Sequence, residues 1–350
     1  MFGTYRLILA SLVLLSHTNL SPDGFNIGVM AVISFFLLSG YVVTGVLKQN
    51  YLHLHSPTPF FLDRCIRIYP LFFVTCFLTL VIRYFLPCQG TFLATYLVHP
   101  SLWAIFLNFL LIPLDFYRFN ATEHFMLNPA TWSLGLEMQF YLVFPLLFQK
   151  KKLRLATLFL SLAFFCFATL GPLESDLYGY RLLPGTLFLF LTGSLFYDQR
   201  TALVTKYLPT IAFICLLLVF FLEKQQRLST PFNREVLSGY ILALIALTCL
   251  SRLRRQSWDE WLGALSYGVF LTHLLVLWGV DAAGGVARFG LWGRAALTFF
   301  GALFLAMLGH YLLEVPLRPL QKRWRARFRA PLLPVGGQGD VGVGVEAKGL

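Results

Sequence analysis

The sequence predicts an all-α fold: a polytopic integral membrane protein of about ten transmembrane helices with both termini in the cytoplasm. Three observations carry this. Of 350 residues, 57% are hydrophobic and only 13% charged, with a mean hydropathy of +0.70, against roughly a quarter charged in soluble domains. Apolar runs of near-spanning length recur along the whole chain, each bounded by charged or Pro/Gly-rich segments. Basic residues crowd into alternate connections between those runs. No polar stretch is long enough to bury a core of its own. Residues 1–330 therefore read as one membrane domain, and the Gly-rich 331–350 as a disordered tail.

The first run, 4–20, is not a cleaved signal, because a second, 26–47, follows at once with no small-residue cleavage site between them. It carries Arg6 and His17 with ten residues between them. Eleven steps of about 100° make roughly three turns, so both side chains leave nearly the same helix face, about 16 Å apart along the axis. An ionisable histidine carried into a membrane is costly, which makes His17 a functional candidate. The second run contains Ser34-Phe35-Phe36 and then Ser39-Gly40-Tyr41, whose small pair offers a notch for helix contact. Ahead of the third run, 68–86, stand Arg64 and Arg67, at i and i+3 of a helix start. They are either membrane-edge anchors or two guanidinium forks presented to phosphate oxygens.

The apolar stretch from Leu102 to Leu114 is short for a crossing and is placed along the outer interface. The next run, 131–149, opens with Trp132, suited to an outer aromatic belt. It holds Glu137 about two turns in, where a carboxylate is either ion-paired with a neighbouring helix or functional. Runs at 155–171, 182–197, 207–222 and 236–250 follow. The run at 261–280 contains His273, a buried histidine bonded to a hydroxyl or carbonyl, or part of a site. The last, 293–313, closes on His310 and Glu314-Val315-Pro316. Glu314 there is solvated or paired with an arginine.

With 102–114 outside, the inner connections hold 18 Lys and Arg residues and the outer ones six. Letting that stretch cross would put the Lys150–Arg154 cluster and the basic C-terminal segment outside, against the positive-inside rule. The same alternation assigns the net charge of +12 to membrane topology and excludes a nucleic-acid partner. Six scattered cysteines form no C-x-x-C pair; they read as small core hydrophobes, with neither a disulfide framework nor a metal site. A half-to-half repeat and paired broken helices, the marks of an ion-driven transporter, are missing. Arg6, Arg64 and Arg67 on the cytoplasmic side, with His17, Glu137 and His273 deeper, suit a polyanionic cytosolic ligand whose reactive end reaches into the membrane.

Six ordered segments give the chain a resemblance to a known family. They are Arg6-x10-His17; Phe35-Phe36-x-x-Ser39-Gly40-Tyr41; Arg64-x-x-Arg67-Ile68-Tyr69-Pro70; Trp132-Ser133-Leu134-x-x-Glu137 with Phe140-Tyr141 and Pro145; Ser266-Tyr267-x-x-Phe270-Leu271-x-His273; and Glu314-x-Pro316. In this order they resemble the signature of the membrane-bound acyltransferase family 3, polytopic O-acyltransferases that decorate bacterial surface glycans. The resemblance implies a ten-helix fold in the bacterial inner membrane, with acetyl-CoA as acyl donor and a carbohydrate hydroxyl as acceptor. It implies that His17 is the essential histidine with Arg6 its partner, and that Arg64 and Arg67 contact the CoA phosphates. Glu137 would orient a histidine or help deprotonate the acceptor, and His273 would line the same cavity. His17 would act as general base or as acyl relay.

Two departures stand out. Ile33-Ser34 precede the Phe-Phe pair where many relatives carry an acid, and the C-terminal esterase-like domain of some relatives has no counterpart. The chain would then act alone or with separate glycan-assembly proteins. A lipopolysaccharide O-antigen, an exopolysaccharide or a small glycosylated metabolite all fit as acceptor. The rival readings are a glycan or lipid exporter whose charges line a transit path, and a non-catalytic subunit of a polysaccharide-export system.

Overall fold

A computed structural model describes residues 2–22, 24–51, 54, 56–85, 101–120, 122–171, 173–198, 203–224, 232–254 and 256–328. The predicted tail at 331–350 lies outside the described residues, as does Cys88. Among the described residues there is no β-strand, and a helix covers each of the ten predicted runs. These are α1 (Gly3–His17), α2 (Ile27–Asn50) and α3 (Thr58–Phe85), then, after two short helices α4 (Leu102–Asn108) and α5 (Leu111–Asp115), α6 (Trp132–Gln149). The series continues with α7 (Lys151–Leu170), α8 (Leu183–Tyr197), α9 (Leu203–Lys224), α10 (Asn233–Leu250), α11 (Ser257–Ala282) and α12 (Gly285–Gly309). A polar helix, α13 (Val315–Phe328), ends the described chain. Among the described residues six helices are long and apolar enough to cross a membrane, α12 and α13 counting as one continuous length. Side chains such as Phe77, Leu160, Phe300 and Phe304 point outward from the bundle, as lipid contact requires.

Three boundaries differ from the sequence reading. The third helix begins at Thr58, ten residues before the predicted run, with Pro59 in its first turn where the missing N–H costs nothing. Arg64 and Arg67 therefore lie within a helix and not at its start. The 102–114 stretch is broken into α4 and α5, of 7 and 5 residues, far short of a roughly 30 Å apolar layer at 1.5 Å per residue. The last run starts eight residues early, kinked at Gly290 (φ 68°), and passes through a π-helical turn, His310–Glu314.

The core is built on α2, which packs against α1, α8 and α10, while α11 packs on α1 and α12. Between α1 and α11 the register is set at the helix starts. Asp259 accepts from the amides of Gly3 (2.9 Å) and Thr4 (2.8 Å) and from the Thr4 hydroxyl (2.8 Å). A carboxylate so placed satisfies two of the orphan amides of α1 and meets its positive dipole end. The sequence offset is 256 both here and where His17 meets His273. The two helices thus run parallel and in step.

The Ser39-Gly40 notch read from the sequence is a helix contact. A Cβ added at Gly40 would lie 1.9 Å from the Phe190 carbonyl oxygen, and one at Gly193 would lie 1.8 Å from that of Leu37, so only glycine permits this approach of α2 and α8. Gly193→Ala is expected to lower the thermal midpoint in detergent, by overpacking worth about 1–3 kcal/mol. Gly279→Ala, with nothing within 4 Å of the added carbon, is expected to leave it unchanged or raise it.

Charged residues collect at the end of the bundle where α1 begins. Lys48 and Arg154 both donate to Asp198, Arg154 at 2.7 Å, tying α2, α7 and α8 together. Burial alone would raise the Asp198 carboxyl, but the bonds from Lys48 and Arg154 outweigh it and hold it below the usual carboxylate range. At the same end α13 folds back onto α3: Trp324 donates to the Pro59 carbonyl (2.9 Å), and Arg325 binds Asp63 through Nε (2.9 Å) and Nη2 (3.1 Å).

Candidate active site

Three cavities lie along the bundle and share walls. The inner cleft, about 2,250 Å³, sits between the starts of α1 and α11 and the chain around α13, and is lined by Asp259, His310, Glu314 and Arg318 among others. The middle cavity, about 800 Å³, is lined by Ser39, Arg64, Glu137, Tyr141 and Tyr267. Arg6, Val42 and Arg67 line both of these. The outer cavity, about 790 Å³, is lined by His17, Asn26, Tyr117, Trp132 and Arg181, and meets the middle one at Val32, Ser133 and Phe270.

Five of the six predicted site residues divide between adjoining cavities, whereas His273, expected to line the same cavity, is fully buried and lines none of the three. Arg6, Arg64, Arg67 and Glu137 come together in the middle one. Glu137 accepts hydrogen bonds from the hydroxyls of Ser39 and Tyr141, which lie 3.4 Å apart. Its carboxylate is satisfied by hydroxyls, and among the described residues neither histidine is among its hydrogen-bond partners. Arg64 is only 3% exposed and is ion-paired with its neighbour Asp63, which Arg325 also holds. Arg67, by contrast, is exposed to the cavities. Glu314 pairs with His310 Nδ1 (2.8 Å), and Arg318 Nη2 donates to His310 Nε2 (3.1 Å).

His17 lines the outer cavity, with His273 packed against it in the protein interior. His273 is fully buried and its Nε2 lies 3.3 Å from His17 Nδ1. The Nδ1 atoms face backbone carbonyls, Val13 at 2.9 Å for His17 and Phe270 at 2.7 Å for His273. A carbonyl only accepts, so each neutral ring carries its proton on Nδ1 and its lone pair on Nε2. Ahead of the Phe-Phe pair, Ser34 is buried between the Tyr5 hydroxyl (2.5 Å) and the Gly239 carbonyl (3.2 Å).

Two groups of residues escaped the sequence reading. Asp63 precedes Arg64 directly, but the late helix start assigned to this region hid their pairing inside α3. Arg181, counted only as an outer-loop charge, is brought into the outer cavity with Tyr180 by a π-helical turn, Ser175–Arg181.

A family model described as an acyltransferase domain, acyltransferase family 3, matches residues 4–314. An uncharacterised protein of Aquifex aeolicus is 35% identical over 156 residues, 43% of this chain and 70% of its own length. Nodulation protein 10 of Rhizobium leguminosarum bv. viciae is 25% identical over 334 residues, 84% and 83% of the two chains. The peptidoglycan O-acetyltransferase OatA of Listeria monocytogenes is 25% identical over 333 residues, 83% of this chain but 51% of its own length. No solved structure matches.

Proposed function

The chain belongs to acyltransferase family 3 and is a membrane O-acyltransferase, and from that premise we propose that it moves an acetyl group from cytosolic acetyl-CoA to a hydroxyl of a cell-surface glycan. The acceptor is a lipopolysaccharide O-antigen or an exopolysaccharide, and the enzyme sits in the bacterial inner membrane with ten spans and both termini cytoplasmic. Parity supports that topology. If α4 and α5 do not cross, α1 and α11 are the first and ninth spans and must run in the same direction, as their constant offset of 256 requires. Lys48, Arg154 and the basic α13 share the end where α1 begins, in keeping with a cytoplasmic placement.

The observation that carries the reading is the contact of His17 with His273 where the arginine-lined cavity adjoins the outer one. Arg6 and Arg67, with Arg64 behind them, hold the donor phosphates, each charge-assisted bond contributing about 1.5–3 kcal/mol. The pantetheine arm runs through the middle cavity and brings its thioester to the boundary at Val32, Ser133 and Phe270. His17 Nε2 takes the proton of the acceptor hydroxyl as its oxygen attacks the thioester carbonyl. The new C–O bond forms, the C–S bond breaks, and the proton passes to the departing thiolate. Nδ1–H of the resulting imidazolium already faces two acceptors, the Val13 carbonyl and His273 Nε2, so the charge that develops on the ring is stabilised in advance. Glu137, bonded to Ser39 and Tyr141, shapes the middle cavity on the donor side of that boundary.

Comparing surface polysaccharide from cells with and without the gene, by NMR, tests the function: the O-acetyl signals are expected to disappear with the gene, and an unchanged spectrum overturns it. His273 acts through His17, as a positioning residue. His273→Ala is expected to lower kcat about tenfold to a hundredfold, the worth of one hydrogen bond to a charged partner, with the donor KM unchanged. His273→Gln, whose side-chain oxygen can still accept, is expected to recover part of the loss. Equal effects on kcat and KM would make His273 merely structural.

A further inference from the structure

The outer cavity has walls that donor binding does not explain. The Arg181 guanidinium carbon lies 5.8, 4.9 and 5.3 Å from the ring centroids of Tyr117, Trp132 and Tyr180. Its Nε donates to both oxygens of Asp176, at 3.1 and 3.2 Å, which fixes its plane and offsets its charge. Asp176 also lies 3.9 Å from Arg118, which is ion-paired with Glu174. Two arginines thus face two carboxylates, so these four groups carry no net charge, and of them Arg181 lines the cavity.

We infer that this cavity is the acceptor subsite and that it takes an uncharged pyranose ring; the assignment to an acceptor rests on the acyl-transfer reading of His17. A pyranose presents apolar C–H faces that pack flat on aromatic rings, and a rim of hydroxyls that match a planar guanidinium. An acidic sugar would have to desolvate its carboxylate against an arginine whose charge Asp176 already offsets. His17 lines the same cavity, so a hydroxyl of the bound ring stands beside the histidine on the side away from Arg6, Arg64 and Arg67.

Calorimetric titration of the purified protein in lipid nanodiscs tests this without any acyl donor, using methyl β-D-glucopyranoside and the corresponding glucuronide. The glucoside is expected to bind with millimolar affinity and the glucuronide at least tenfold more weakly. Arg181→Gln and Tyr117→Ala are each expected to weaken glucoside binding at least tenfold while leaving acetyl-CoA affinity unchanged. Tyr117 stands in the short turn Tyr117–Phe119, so its variant keeps the test decisive should Arg181→Gln disturb folding. Absence of glucoside binding, equal or tighter glucuronide binding, or wild-type affinity in the Tyr117 variant overturns the proposal. A protein that binds the glucoside but leaves glycan acetylation unchanged overturns the transferase reading alone.

Discussion

Replacing His17 by alanine is expected to cut acetyl transfer by about 10²- to 10⁴-fold, the contribution of a positioned general base, in a protein that still folds and still binds acetyl-CoA. The fold should survive because the imidazole is partly exposed to a cavity, and the Val13 carbonyl keeps its place in the α1 backbone ladder. What is lost is the ring proposed to take the acceptor proton, together with its 3.3 Å contact to His273. The arginines proposed to hold the donor line other walls, so the donor dissociation constant should stay at its wild-type value. Transfer of radiolabelled acetyl to glycan, with the thermal midpoint as folding control, reads both. Undiminished transfer in His17→Ala would remove the residue from the mechanism. Incubating wild-type protein with labelled donor alone separates the two roles open to the histidine: a base leaves the protein unlabelled, whereas an acyl relay carries the label through denaturation.

Much of this arrangement was legible in the sequence, and what was legible was local. Apolar length and the breakers between runs are properties of contiguous residues, and so is the Ser39-Gly40 notch. Helices accordingly stand where the runs were read. The pairing of His17 with His273 required the register of α1 on α11, which a carboxylate at position 259 sets by capping a helix start 256 residues earlier. No spacing within either helix contains that information. The separation of Glu137 from the histidines is equally non-local, because Val32, Ser133 and Phe270 come from three different helices to form the boundary. The α3 start was misplaced because polarity was taken to mean loop. Asp63 and Arg64 are buried in the helix because they neutralise each other and Arg325, 262 residues away, completes the cluster.

That cluster makes Arg64 and Arg67 unequal, and their alanine variants are expected to fail in different ways. Arg67 is exposed to both arginine-lined cavities, so its guanidinium is available to a phosphate and its removal should leave the packing intact. Losing one charge-assisted bond of about 1.5–3 kcal/mol raises the donor KM about tenfold to a hundredfold, with kcat nearly unchanged because the bond is equally strong before and during transfer. Arg6, which lines the same two cavities, should behave alike. Arg64 is 3% exposed and spends its charge on Asp63. Arg64→Ala leaves a fully buried carboxylate with Arg325 as its remaining ion pair. Breaking a buried pair from one side costs about 3–5 kcal/mol, and the retained arginine should keep the loss at or below the lower end. The Arg64 variant is therefore expected to show chiefly as a lower thermal midpoint, and the Arg67 variant as a higher donor KM at unchanged midpoint. Steady-state kinetics over a range of acetyl-CoA concentrations, run beside thermal unfolding, separates the two. An unchanged donor KM in Arg67→Ala would make that arginine a topological anchor and move the phosphate site elsewhere along the inner cleft.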